Sequence, residues 1–195
     1  CHYAPTEDSL IFGMDQGGNE RVQFYLLQDA EAHVEPLTDK PNAIHSFGDW
    51  DASSRRIAFS SNQRNQAFFD AYVMDVKSKE IHCILQHDGT NNACCFTPDG
   101  QKVLIRRANT NIDRDLFLVH LEKGRFDHLT PHQGEAEYSY ERFSPDGSKL
   151  YLASNQDREF SALMILDLTS RKTKVLVGPS WDIAPIAVSR DGKRI

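Results

Sequence analysis

The chain alternates between short apolar stretches and polar loops, and the same order of pieces returns along its length. Each returning unit holds a run of three apolar residues, at 10–12, 57–59, 103–105 and 150–152. Tight-turn signals precede the later runs, as in Thr-Pro-Asp-Gly at 97–100 and Ser-Pro-Asp-Gly at 144–147. Proline presets φ to about −65° and glycine tolerates positive φ, so these tetrapeptides predict a reversal between two strands.

Two further strands are predicted in each unit, after a polar loop. The third strands are expected at 24–27, 71–76, 116–121 and 163–168. The fourth strands are expected at 34–38, 81–85, 126–130 and 174–177. These segments are rich in Val, Ile, Leu, Phe and Tyr, and none carries a long apolar stripe of helical period. The pattern therefore predicts a chain built of strands.

The period of this pattern is nearly constant. The first apolar residues after the turns are Ile57, Val103, Leu150 and Ile195, which are 46, 47 and 45 positions apart. Such a period is typical of the four-stranded blades of a β-propeller. We therefore predict an all-β fold, a β-propeller segment of about four four-stranded antiparallel blades. The repeats of this partial propeller domain, 1–195, run over 4–50, 51–96, 97–143 and 144–188, and 189–195 begin a fifth.

We expect this segment to belong to a larger propeller of about six to eight blades. A closed four-bladed ring is the alternative, but "DGKRI" at 191–195 would then duplicate the strand at 10–12. The aromatic residues before the turns, Trp50, Phe96 and Phe143, are expected to fill the wedge between neighbouring blades. A ligand-stacking role for these rings is the less favoured alternative.

Composition narrows the class of protein. With 195 residues, 39% of them hydrophobic and 26% charged, the chain has the make-up of a soluble globular protein. Its net charge of −6 argues against a nucleic-acid partner, which would favour a basic face. No stretch approaches the roughly 18 apolar residues of a membrane helix, so we expect no membrane partner.

The cysteines give a weak indication of the cellular compartment. They form no C-x-x-C pair, and the adjacent Cys94 and Cys95 are expected to be reduced residues of a buried strand, with a strained disulfide as the alternative. We therefore expect a reducing, cytoplasmic environment. Because the chain begins at Cys1 and not at a methionine, the sequence does not exclude an upstream signal peptide.

The residues offer little catalytic chemistry. A hydrolase nucleophile elbow requires G-x-S-x-G, and the one pair of glycines at that spacing, Gly13 and Gly17, encloses Asp15. We therefore predict no catalytic residue in this chain. His128 and His132 are four apart, but Pro131 lies between them in a strand-turn segment, so we predict no metal site and no cofactor.

Several longer motifs carry a resemblance to a known family. They are "GGNERVQFYLL" at 17–27, "IHSFGDW" at 44–50, "LTPHQGEA" at 129–136 and "FSPDGSKLYLASNQDREF" at 143–160. In this order they resemble the propeller domain of prolyl oligopeptidase-family serine peptidases. The resemblance is nearest to the branch of acylaminoacyl-peptidases and dipeptidyl-aminopeptidase-like enzymes, and it extends from about Ser9 to Ile195.

The resemblance implies that this chain is the non-catalytic portion of a two-domain enzyme. In that family a C-terminal α/β-hydrolase domain carries the Ser, Asp and His, and the propeller restricts access so that peptides reach the site and folded proteins do not. The expected partners are therefore a hydrolase domain beyond Ile195 and peptide substrates. Charged loops of the family's propellers can recognise substrate termini, which makes Arg158 and Glu159 the candidate substrate-binding residues. A plain solvated loop is the alternative for both.

The sequence is also compatible with two other classes of protein. A non-enzymatic propeller of the TolB kind would be a binding platform for protein or peptide partners, and would continue into further blades. A propeller lyase acting on sugars would bring histidines together on one metal ion.

Overall fold

The computed structural model describes residues 1–28, 33–184, 187–189 and 191–195. Residues 29–32 of the first predicted repeat, 185–186 of the fourth and 190 of the fifth lie outside the described residues. All regular elements in the described ranges are β-strands, so the all-β prediction is confirmed. The chain divides into two compact units, Cys1–Phe96 and Thr97–Ile195, and this division falls at the predicted boundary between the second and third repeats.

The first unit contains two antiparallel four-stranded arrays. One has the order β1-β2-β3-β4, with β1 (His2–Tyr3), β2 (Ser9–Met14), β3 (Gln23–Gln28) and β4 (His33–Pro36). The other comprises β5 (His45–Trp50), β6 (Arg56–Asn65), β7 (Phe68–Asp75) and β8 (Ile81–Leu85), each paired with the next. A ninth strand, β9 (Thr90–Phe96), meets β7 in a parallel bridge between Phe69 and Thr90.

The second unit continues the same up-and-down order. Three strands, β10 (Lys102–Ala108), β11 (Arg114–His120) and β12 (Phe126–His128), pair antiparallel in sequence. A four-stranded sheet follows, with β13 (Tyr138–Phe143), β14 (Lys149–Ser154), β15 (Ala162–Asp167) and β16 (Thr173–Val177). Four-stranded antiparallel sheets of this order are propeller blades.

The predicted tight turns are present in the second unit with a shared hydrogen-bond pattern. The hydroxyl groups of Thr97, Ser144 and Ser189 donate to the aspartate two positions later, at 2.5, 2.6 and 2.7 Å. The glycine that follows each aspartate has a φ of 67–68°, a left-handed conformation that glycine adopts without strain. The turn therefore forms through local chemistry alone, including at 189–194, where the described residues form no strand pair.

The core of the first unit is rich in aromatic rings. Phe24, Phe59 and Trp50 are at most 5% exposed, and the first two meet edge to face at 5.6 Å. The indole nitrogen of Trp50 donates to the carbonyl of His2 at 3.1 Å, which satisfies its polar atom. Of the sister aromatics, Phe96 is buried and Phe143 is half-buried, and their place in the wedge between blades stays a prediction.

Gly48 lies where the backbones of three strands of the first unit come close together. It lies at a register break of β5, between Phe47 and Asp49. A Cβ atom at Gly48 would lie 2.4 Å from the Ala93 carbonyl oxygen and 2.9 Å from that of Ala58. Both obstacles are backbone atoms of neighbouring strands, so only glycine lets the three strands come together.

We expect Gly48→Ala to lower the free energy of unfolding by about 3 kcal/mol, because the strands must move apart. Gly13→Ala is the matched control, since its Cβ would meet the side-chain atom Cγ1 of Val22, which can rotate away. Urea unfolding followed by fluorescence measures both variants. Equal losses for the two variants would contradict the backbone-contact explanation.

His45 is a neutral histidine in the same core. It is 3% exposed, its ring lies 5.6 Å from that of Phe24 and 5.7 Å from that of Phe59, and neither ring nitrogen has a hydrogen-bond partner among the described residues. Burial, with a smaller contribution from the positive charge of Lys40, lowers the pKa of His45 to about 4. The native state therefore excludes the charged form, and stability falls as pH decreases from the ordinary histidine value towards 4.

His45→Phe tests this acid sensitivity. The wild-type protein is expected to lose up to about 3 kcal/mol of unfolding free energy to this one group between pH 7 and pH 4, and the variant to lose that much less. Unfolding curves across that range measure the slope, with exposed His33→Phe as the control. An unchanged slope in His45→Phe would show that the ring is protonated or hydrated in the native state.

Candidate functional site

Three connections of the second unit meet at one edge of its sheets. They are residues 109–113 between β10 and β11, 129–137 between β12 and β13, and 155–161 between β14 and β15. We call this set the loop edge. The backbone N–H of Glu137 donates to the Asn155 side chain at 2.8 Å, and the Tyr138 hydroxyl donates to the Gln156 side chain at 2.9 Å. The loop edge is therefore one hydrogen-bonded assembly within this unit.

Asp113 joins both ends of the segment 131–136. Its Oδ1 atom accepts from His132 Nε2 at 2.8 Å and from the Ala136 backbone N–H at 3.2 Å. The Ala136 carbonyl in turn accepts from the Arg114 backbone N–H at 2.8 Å. Burial opposes the charge of Asp113, but the bonds from His132, Asn109 and Ala136 outweigh it and hold its pKa below the ordinary value. Asp113 is therefore ionised and structural.

His132 has acceptors on both sides of its ring. Its Nε2 atom faces the Asp113 carboxylate, and its Nδ1 atom lies 2.8 Å from the Thr130 carbonyl oxygen. Neither partner can donate, so both bonds form only when both ring nitrogens carry protons. Burial lowers the pKa of His132, but the Thr130 carbonyl and the two aspartates more than compensate and raise it above the ordinary value.

Asp115 holds a second imidazole. Its Oδ1 atom lies 2.6 Å from His128 Nε2, and its Oδ2 atom accepts from the Asn109 amide at 2.8 Å. The His128 ring stacks on Phe117 with centroids 4.5 Å apart, and the Arg107 guanidinium lies 4.4 Å from the same Phe117 ring. Asp113, Asp115 and His132 are half-buried and His128 is exposed, and hydrogen bonds to the two carboxylates are stronger than bonds between neutral groups.

The first unit has equivalents of Asp115 at the same place in its blades. Gln23 binds Lys40 and Ala43 through their backbone groups at 3.0 Å, and so fixes the connection between β4 and β5. Asp70, fully buried, accepts from the His87 backbone N–H at 3.2 Å and from Arg64 at 2.6 Å. In the first unit, a polar residue near the start of each third strand thus ties down the connection that leaves its blade.

The two residues predicted to bind substrate have different surroundings in the structure. The Arg158 guanidinium donates to the Gly178 carbonyl at 3.1 Å and to the Phe160 carbonyl at 3.4 Å, so it fixes loop 155–161. Glu159 is exposed on that loop. Both lie on the loop edge, and their substrate-binding role stays a prediction.

Sequence reasoning missed Asp113 and Asp115. The signal available was the repeat itself, because Asp115 occupies the position of Gln23 and Asp70. For their partners His128 and His132, the sequence favours a structural or solvent-exposed role over metal ligation but does not reveal the carboxylates that they contact. Among the described residues, no group of three His, Cys, Asp or Glu side chains is placed to hold a metal ion.

The acid–base groups of the loop edge are bonded to one another and to the backbone. In the described part of the chain, His128 and His132 are bonded to carboxylates and a carbonyl, and neither is bonded to a serine or cysteine that it could activate.

Within the described ranges, no helix has the length and apolar character that crossing a bilayer requires.

Solved propeller structures have the same fold as this chain. TolB from Acinetobacter baumannii matches with a TM-score of 0.72 and 17% identity, over 95% of this chain and 44% of that one. Puromycin hydrolase matches with a TM-score of 0.73 and 8% identity, over 90% of this chain and 28% of that one. The tricorn protease matches with a TM-score of 0.67 and 12% identity, over 96% and 19%. The propeller prediction is therefore confirmed, and likeness at these identities concerns the fold.

Sequence comparison gives one curated relative. The U3 small nucleolar RNA-associated protein 18 homolog of Arabidopsis thaliana is 24% identical over 180 residues, which are 90% of this chain and 30% of that protein. No family model matches the chain. The chain thus spans less than half the length of TolB and about a third of the plant protein.

Proposed function

We propose that this chain is the propeller portion of a prolyl oligopeptidase-like serine peptidase, and that it gates access of peptides to a C-terminal hydrolase domain. Two likenesses together carry the proposal. The loop motifs resemble those of the peptidase family, and the folded chain matches puromycin hydrolase over 90% of its length. A match to prolyl endopeptidases, with a TM-score of 0.51, adds support.

The loop edge suits a gate because its connections are fixed to one another. The bonds from Glu137 and Tyr138 to the neighbouring loop restrict how far the blade ends can separate in this unit. A gate that excludes folded proteins needs such restricted loops, since a mobile entrance would admit larger substrates. In this proposal Glu159 meets the ammonium group or a basic side chain of the peptide, and Arg158 positions the loop that carries Glu159.

The first experiment asks whether a reactive serine accompanies the propeller. The full-length natural protein is expected to be labelled by a fluorophosphonate probe and to cleave short peptides while leaving folded proteins intact. Heat-inactivated protein is the control for non-specific labelling. A full-length protein that takes up no probe would overturn the peptidase proposal.

The second experiment separates the two loop residues. Glu159→Gln is expected to raise KM for short peptides about three- to tenfold with little change in kcat, because a charge-assisted contact is lost. Arg158→Ala is expected to raise KM and also to make loop 155–161 sensitive to proteolysis. Glu122→Gln, an exposed carboxylate on the turn after β11, is the matched control. A normal KM in Glu159→Gln would contradict its role as a peptide contact.

A binding platform without enzymatic activity is the second candidate function. The TolB match, which covers 95% of this chain, and the plant RNA-associated relative favour it. For this chain the partner would be a protein or peptide, since the net charge of −6 disfavours direct contact with nucleic acid. The absence of probe labelling together with capture of a defined peptide partner would support this candidate.

A further inference from the structure

The segment 131–136 is a short loop closed at its base by one carboxylate. Asp113 Oδ1 receives hydrogen bonds from His132 near its start and from Ala136 at its end. Gly134, with a φ of 77°, makes the reversal between these two contacts. Residues 133–135 are exposed, so the contacts at the base of the loop hold its tip in place.

The contact between His132 and Asp113 depends on the charge of the imidazole. When His132 loses one proton, one ring nitrogen turns a lone pair towards an acceptor oxygen, either the Thr130 carbonyl or the Asp113 carboxylate. Either tautomer therefore replaces an attractive contact of about 2.8 Å by a repulsive one. The side chain is 5% exposed, so water has little room to bridge the gap.

The groups around His132 come from several elements. Asp113 and Asp115 face it from the start of β11, with Asp115 Oδ1 3.5 Å from Nδ1, and the Tyr138 ring packs against it from β13 at 5.7 Å. Burial, together with Asp115, raises the pKa of Tyr138 to about 12, so this phenol stays neutral across the physiological range. The positive charge of Arg107 on β10 attracts Asp115, His128 on β12 is hydrogen-bonded to Asp115, and Arg114 pairs with Glu137 at 3.3 Å.

We propose that residues 131–136 form a pH-responsive latch on the loop edge, closed while His132 is an imidazolium and released when it becomes neutral. The pKa of His132 is raised in the folded protein, so the latch is fully closed below the ordinary histidine value and opens as pH rises through the folded value. Release uncovers the Asp113 carboxylate and frees the segment 133–135. The proposal concerns the loop itself and does not depend on a peptidase activity.

The first unit contains an internal control. The connection between β4 and β5 is fixed at the equivalent place by the Gln23 amide, which does not titrate. If pH acted on the propeller as a whole, both connections would respond. If it acts through His132, only the loop edge of the second unit responds.

Hydrogen–deuterium exchange of the full-length protein, read by mass spectrometry at pH 6 and pH 9, tests the latch. After correction for the intrinsic pH dependence of exchange, protection in 131–137 is expected to fall about tenfold or more at pH 9, in line with the loss of a charge-assisted bond. Protection in 37–44 is expected to stay constant. Constant protection in 131–137 would overturn the proposal.

Two variants identify the group that titrates. His132→Gln is expected to give low, pH-independent protection in 131–137, and Asp113→Asn to loosen the loop at both pH values. His120→Gln is the matched control, because its hydrogen-bond partner is Asp127, which is not among the groups bonded to His132 or Asp113. A His132→Gln protein that kept the wild-type pH dependence would overturn the proposal. NMR of ring-labelled histidines in the wild-type protein checks it without substitution, since a His132 titration at or below the ordinary histidine pH would exclude the latch.

Discussion

Neighbouring blades must be joined by connections that lie outside any sheet ladder, and the polar backbone groups of those connections need partners. In the first unit, one polar side chain near the start of each third strand supplies them. Gln23 does so with an amide and Asp70 with a buried carboxylate, whereas in the second unit Asp113, just before β11, accepts from the Ala136 backbone N–H. Because unsatisfied buried backbone groups are destabilising, we expect these contacts to contribute more to the stability of each unit than an exposed ion pair does.

The strands and turns were predictable from the sequence because their causes are local. Thr97 and Asp99 form the turn between themselves, and short apolar runs after polar turns predict β8 and β16 where they lie. The fourth strands were predicted too long in two blades. The strand β4 ends at Pro36 and β12 at His128, because the threonine hydroxyls of Thr38 and Thr130 turn to bind the third-strand backbone.

The site was less predictable because its causes are long-range. Arg158 meets a carbonyl 20 residues away, and His132 meets a carboxylate 19 residues away. The sequence of loop 155–161 alone does not show that Arg158 donates to backbone carbonyls while Glu159 is exposed. Likewise, two histidines four residues apart look alike in sequence, yet one is 38% exposed and the other 5% exposed at the side chain.

His45 and His132 have opposite surroundings. Together they limit the pH range in which the chain is well ordered. An apolar cage around His45 tolerates only the uncharged ring, whereas paired acceptors around His132 demand the charged one. Acid therefore disturbs the interior of the first unit, and alkali disturbs the outer connections of the second. Such a protein is well ordered between two pH limits, the lowered pKa of His45 and the raised pKa of His132, because both histidines are in their preferred states only in that interval.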